Sequence, residues 1–278
     1  MRIENERESE NVEDRRGMGK GTVIGGGIGA VILAVVIALM GGDPSALLNQ
    51  GGPAVEQNIP NTPEANAAKL FVSKVLASTE DVWARILPQQ ANIPYENPRL
   101  VLFSGLVESA CGRASASTGP FYCPGDRQVY IDLSFFEELA SRFGAPGDFA
   151  QAYVIAHEVG HHVQKLTGAS DMVARKHGTP QFNQLSVRLE LQADFYAGVW
   201  AYHADKMRSI LEAGDIEEGL TAANAIGDDR LQKQSGGQVM PDSFTHGTSA
   251  QRIRWFKKGY TTGDMRQGDT FSVPYERL

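Results

Sequence analysis

DFAQAYVIAHEVGHHVQKLTG, residues 148–168, holds His157-Glu158-Val159-Gly160-His161 inside an apolar-periodic run. Its punctuation is helical: Asp148 can cap the backbone while Gln151 reaches back, Lys165 puts a cation in the last turn, and Gly168 stops the helix. Residues four apart on a helix share a face, so His157 and His161 can address one ion while Glu158 projects beside it. That is half of a catalytic zinc site. His162 points about 100° further round and reads as a packed or hydrogen-bonded residue. His177 and His203 belong to no motif and default to structural or surface roles.

A catalytic zinc takes a third protein ligand and leaves its fourth position to water. The longer pattern H-E-x-x-H-x-x-G-x-x-H needs glycine at position 164 and histidine at 167, where this chain has Gln164 and Thr167, so that class is excluded. Downstream, Glu190-Leu191-Gln192-Ala193-Asp194 offers two carboxylates on one face of a second helix. Glu190 is the expected third ligand. Asp194 is the expected acceptor for the second ring N–H of His157, which fixes the tautomer and strengthens the ligand.

Around this pair of motifs, the chain has 278 residues, 42% apolar and 21% charged, with a formal charge of −7 and no block of Lys or Arg. Collagen, low-complexity disorder and multi-pass membrane proteins are excluded, and no nucleic-acid partner is expected. Thr22–Met40 is a run of 19 residues without a charge, long enough for a span. Arg2, Arg7, Arg15, Arg16 and Lys20 precede it, and no further base occurs before Lys69. The positive-inside rule then predicts a cytoplasmic tail over 1–20, one transmembrane anchor over 21–41, a Gly/Pro-rich linker over 42–65 and an extracytoplasmic domain over 66–278. The bilayer would be a partner, and the spacing of Gly21, Gly25 and Gly29 would let two such helices pack as a homodimer. Within the body, helices are expected over 67–87 ending at Pro88, from 148, from about 179 past Trp200, and from Asp215. Strands are expected over 99–104 and 128–133. Cys111 and Cys123 flank a Gly/Ser/Thr-rich loop in the exported part, which favours a disulfide over two free thiols.

The runs GPFYCPGDRQVYIDLSFF (119–136), AYVIAHEVGHHVQ (152–164), ELQADFYAGVW (190–200), IGDDRLQ (226–232) and SFTHGTSAQRIRWF (243–256) resemble the neutral zinc metallopeptidase family of bacteria. By motif layout the family is similar to gluzincins such as the prenyl-protein endopeptidases. The resemblance implies His157, His161 and Glu190 as zinc ligands and Glu158 as catalytic acid/base. The expected fold is α+β, a helix-rich zincin-like domain with a small edge sheet behind one transmembrane helix. The expected function is a membrane-anchored, zinc-dependent endopeptidase of the bacterial cell membrane acting on a peptide or protein substrate. The alternative is an inactive, zinc-stabilised scaffold that binds polypeptide. Two further roles are expected. Residues 129–133 would offer a strand edge to substrate. His246 or Arg252 would donate to the developing oxyanion, unless Arg252 instead anchors Glu190 or another site carboxylate.

Overall fold

The computed structural model describes residues 1–17, 62–234, 240 and 243–278. The anchor expected over 21–41, its glycine spacing and nearly all of the 42–65 linker lie outside the described residues. Among the described residues, no helix is long and apolar enough to cross a membrane.

Four strands form the main sheet: β1 (Val12–Asp14), β2 (Arg99–Phe103), β6 (Gln128–Asp132) and β5 (Phe121–Cys123), in that order. β1, β2 and β6 run parallel, and β5 returns antiparallel along β6. A separate hairpin pairs β3 (Leu106–Ser109) with β4 (Gly112–Ser115). Alternation along the strands sorts their side chains into two layers. Leu100, Leu102, Val129 and Ile131 join the main core, while Val101, Phe103 and Tyr130 join a smaller cluster with Val107 of the hairpin and Cys123. Covered on both faces, β2 reads as the continuous apolar run expected of a buried parallel strand. The strand expected at a sheet edge, 129–133, is therefore central; the edge belongs to β5, whose three residues are too few to show a pattern.

α1 (Pro63–Ala91) lies under the sheet's main-core face. Thr62 caps it by accepting from the amide of Ala65, and Pro63 occupies its first turn. The helix runs through Pro88 rather than ending there. Pro88 sits in the last turn, where the missing N–H removes one bond near a terminus, and Asn92 closes the helix in the left-handed region at φ 56°. α2 (Ser134–Ser141) leads to α3 (Asp148–Thr167), α4 (Ala169–Ala174), α5 (Phe182–Arg208), α6 (Asp215–Ala225), α7 (Asp228–Gln234) and α8 (Ser249–Thr262). α3 starts at Asp148, but its cap bond comes from outside: the Glu218 carboxylate of α6 accepts from the amide of Phe149 at 3.2 Å.

Residues 1–17 are built into this body, contrary to the separate tail expected over 1–20. β1 extends the sheet beyond β2, Met1 and Ile3 are buried in the main core, and Ser9 exchanges hydrogen bonds with Ser73 of α1. The acids among the tail's bases, disregarded by a rule that counts only Lys and Arg, are ion-pair partners: Asp14 holds Arg16 and Lys69, and Glu6 holds Arg208.

Two close approaches bring the chemical helices together. A Cβ on Gly160 would stand 2.9 Å from the carbonyl oxygen of Ala193, so α3 and α5 meet backbone to backbone at the middle of both motifs. Gly198 and Gly259 do the same for α5 and α8, where added Cβ atoms would stand 2.2 Å and 2.0 Å from the carbonyl oxygens of Phe256 and Phe195. Gly160→Ala is therefore expected to destabilise by about 1–3 kcal/mol through overpacking, exceeding the roughly 1 kcal/mol of helix propensity that alanine contributes. Thermal denaturation checks this by a lowered Tm; an unchanged or raised Tm would show that the helices part freely.

Candidate metal centre

A cavity of about 760 Å³ opens between α3, α5 and the loop from Ala116 to Pro124, and His157, Glu158, His161, Glu190 and His246 line it. Two turns of α3 place His157 and His161 with ring centroids 4.8 Å apart. Glu190 of α5 meets both, its Oε2 3.2 Å from Nε2 of His157 and its Oε1 3.5 Å from Nε2 of His161. One ligand atom from each of the three residues lies within 4.8 Å of the others.

The far side of each imidazole is occupied. Nδ1 of His157 donates to Asp194 at 2.9 Å, and Nδ1 of His161 donates to Oε1 of Gln164 at 2.8 Å. The amide of Gln164 can face only that way, because its Nε2 donates to the carbonyl of Leu189 at 2.6 Å and to Gln192 at 3.2 Å. With Nδ1 of each ring bonded, Nε2 is the nitrogen each ring turns toward Glu190, and the one that would ligate zinc on losing its proton. Two imidazoles and a carboxylate, with both tautomers set and a solvent-reaching cavity on the fourth side, form the donor set a catalytic zinc takes.

Asp194 is fully buried. Its two oxygens receive Nε and Nη2 of Arg252 at 2.9 and 3.0 Å, the ring N–H of His157 and the hydroxyl of Tyr153. Burial works against the ionised carboxyl, yet the Arg252 guanidinium and His157 outweigh it and hold Asp194 below its ordinary value. Glu190 behaves alike: burial opposes its charge, and the two histidines hold it well below the usual carboxylate range. Arg252, almost fully buried at the edge of the same cavity, bonds Asp194 through Nε and Nη2 and so clamps that carboxylate.

His246 lies in the loop before α8, on the cavity wall, with half of its side chain exposed. Asp228, at the start of α7, accepts from Nδ1 of His246 at 3.1 Å and from the backbone amides of Thr245, His246 and Gly247 at 2.7, 2.6 and 3.1 Å. Burial lowers the proton affinity of His246, but the bond to Asp228 and nearby Glu190 raise it above the usual imidazole value overall. The remaining histidines sit elsewhere. His162 donates from Nε2 to the carbonyl of Glu96 and accepts from Tyr122, His203 bonds the carbonyl of Gly263, and His177 packs on Phe182. Cys111 and Cys123 form a disulfide joining the hairpin turn to β5.

Sequence reasoning missed Tyr153, Gln164 and Asp228. Tyr153 stands four residues before His157 and Gln164 three after His161, so helical periodicity on α3 carries a signal for both. Asp228 has only its place in the IGDD run.

A profile of the family described as Putative neutral zinc metallopeptidase matches residues 1–271. The chain belongs to that family. It is 48% identical over 285 residues to the uncharacterized protein YpfJ of Escherichia coli (strain K12), covering 98% of this chain and 99% of that one. It is 41% identical over 256 residues to the uncharacterized protein Rv2575 of Mycobacterium tuberculosis (strain ATCC 25618 / H37Rv), covering 84% and 85%. No solved structure matches the chain.

Gln164→Leu is expected to weaken zinc binding by about 10–100-fold, because His161 loses the acceptor that fixes its tautomer. Competition with a chromogenic chelator measures it, and wild-type affinity in the folded variant would remove Gln164 from the site.

Proposed function

We propose that the protein is a zinc-dependent endopeptidase that hydrolyses peptide bonds with Glu158 as general base. The observation that carries this reading is the meeting of His157, His161 and Glu190 beside Glu158 in one open cavity, with the second nitrogen of each ligand histidine already bonded. A zinc ion held there would polarise the scissile carbonyl and bring the acidity of water near neutral pH.

The chain's own residues supply the rest. Glu158 takes a proton from the attacking water and returns it to the departing amine. His246, oriented through Nδ1 by Asp228, donates from its other ring nitrogen to the oxygen that becomes negative in the transition state. Along one wall of the cavity, β5 ends the sheet, so an extended peptide can add to its free edge by backbone pairing, with little demand on side-chain identity. A purely structural zinc would close its fourth position with a protein ligand. The cavity and the retained Glu158 speak for catalysis over the zinc-stabilised scaffold.

Glu158→Gln in the zinc-loaded full chain is expected to keep stoichiometric metal and to lower cleavage of an unbiased peptide library by about 10²–10⁴-fold. Metal loss would make Glu158 a ligand, and cleavage at the wild-type rate would remove the general-base role. His246→Ala is expected to lower kcat by roughly 10²-fold with KM and metal content little changed. Undiminished kcat would leave the oxyanion to another donor.

A further inference from the structure

The two flanks of residues 18–61 meet on the body. Nη1 of Arg16 donates to the carbonyl of Ala65 at 3.0 Å, and Nζ of Lys69 lies 3.1 Å from the Asp14 carboxylate. Further in, β1 is hydrogen-bonded into the sheet beside β2. Glu80 of α1 is a buried carboxylate whose partners come from the N-terminal segment: the hydroxyl of Ser9 at 2.6 Å, the amide of Asn11 at 2.8 Å and the guanidinium of Arg7 at 2.8 Å. Without that segment the carboxylate would lose all three of these partners.

We infer that residues 1–17 lie on the same side of any membrane as residues 62–278. One crossing would put Arg16 and Ala65 on opposite faces of a hydrocarbon layer about 30 Å thick. Two crossings would need about 20 apolar residues each. Thr22–Met40 provides one such run, and the 41–61 stretch, with Gly41, Gly42, Gly51, Gly52, Pro44, Pro53 and Pro60, provides no second. Among the described residues, the bases that suggest a cytoplasmic tail are also engaged: Arg7 pairs with Glu80 and Asp81, Arg15 with Glu13, Arg16 with Asp14, and Arg2 bonds the carbonyl of Leu211.

The test uses the full chain in intact cells. Glu10 and Glu276 are exposed, so Glu10→Cys and Glu276→Cys leave the ion pairs and the core in place. Each variant is treated with a membrane-impermeant maleimide before and after lysis. The expected result is one pattern for both positions, either labelled in intact cells or only after lysis. Labelling of one position in intact cells and of the other only after lysis overturns the inference. A second variant reads the contact itself: Ser9→Cys with Ser73→Cys, and a protease site placed within 41–61. Oxidation in cells followed by cleavage should leave the two pieces joined until reductant is added; pieces that separate without reductant overturn it.

Discussion

Asp194 is the charge on which the arrangement of the site depends. A carboxylate taken wholly out of water costs several kcal/mol unless its oxygens are filled by charged or hydrogen-bonding partners. Here the partners come from two helices, Tyr153 and His157 from α3 and Arg252 from α8, around an acid on a third, α5. Each bond that offsets the burial of Asp194 also fixes one helix against another. Arg252 suits this place because its planar fork fills both oxygens at once, which a lysine would not do. The glycine contacts make the bonds reachable. With side chains at 160, 198 or 259, the three helices would stand too far apart for Asp194 to touch all its partners.

Charge balance explains why two acids four residues apart on α5 play different parts. Arg252 neutralises Asp194, so Asp194 can polarise His157 without adding net negative charge to the cavity. Glu190 has no guanidinium within bonding reach in the described structure; its contacts are the two imidazoles. Beside the two imidazoles the cavity carries the carboxylates of Glu190 and Glu158, acids that would suit a dication. The same pattern separates ligand from base, since only Glu190 is gripped by both histidines.

The chemistry was far more legible in the sequence than the boundaries of the domain. His157, His161, Glu190 and Asp194 lie at helical spacings within two uninterrupted helices, so local periodicity is enough to put each pair on a face. Three features had no such signal. β5 and β1 have three residues each, too short for alternation to register, which is why the wrong strand was expected at the sheet edge. Pro88 read as a stop because the rule concerns helix interiors, and this proline lies in a last turn. The N-terminal segment was read as a tail because its partners, Ser73, Glu80 and Asp81, lie more than 60 residues away, and a contact that distant leaves no periodic trace. The disulfide and the helices from Asp148 and Asp215 fall where turn and cap residues placed them.

The parts that would hold a metal and the parts that would hold a substrate are built differently, and their stiffness follows from that difference. The ligands stand on long helices locked by backbone contact and by the Asp194 bonds, which suits groups whose geometry must not vary. The opposite wall, from Ala116 to Pro120, is a loop with a single 3₁₀ turn, and a loop of that kind would ordinarily be the most mobile part of a cleft. It is tied down at its base instead. Cys123 bridges to Cys111, the Asp126 carboxylate accepts from the amide of Ala110 and the hydroxyl of Tyr130, and Phe121 stacks on Tyr130 at 4.8 Å. These ties act on β5 and on the hairpin turn, leaving the tip of the loop outside the core clusters. A wall tied at its base, with its 3₁₀ turn against α2, would keep the strand edge in register with the candidate metal ligands while the open cavity admits side chains of different size. That is the combination an enzyme needs if it recognises peptide backbone first and sequence second.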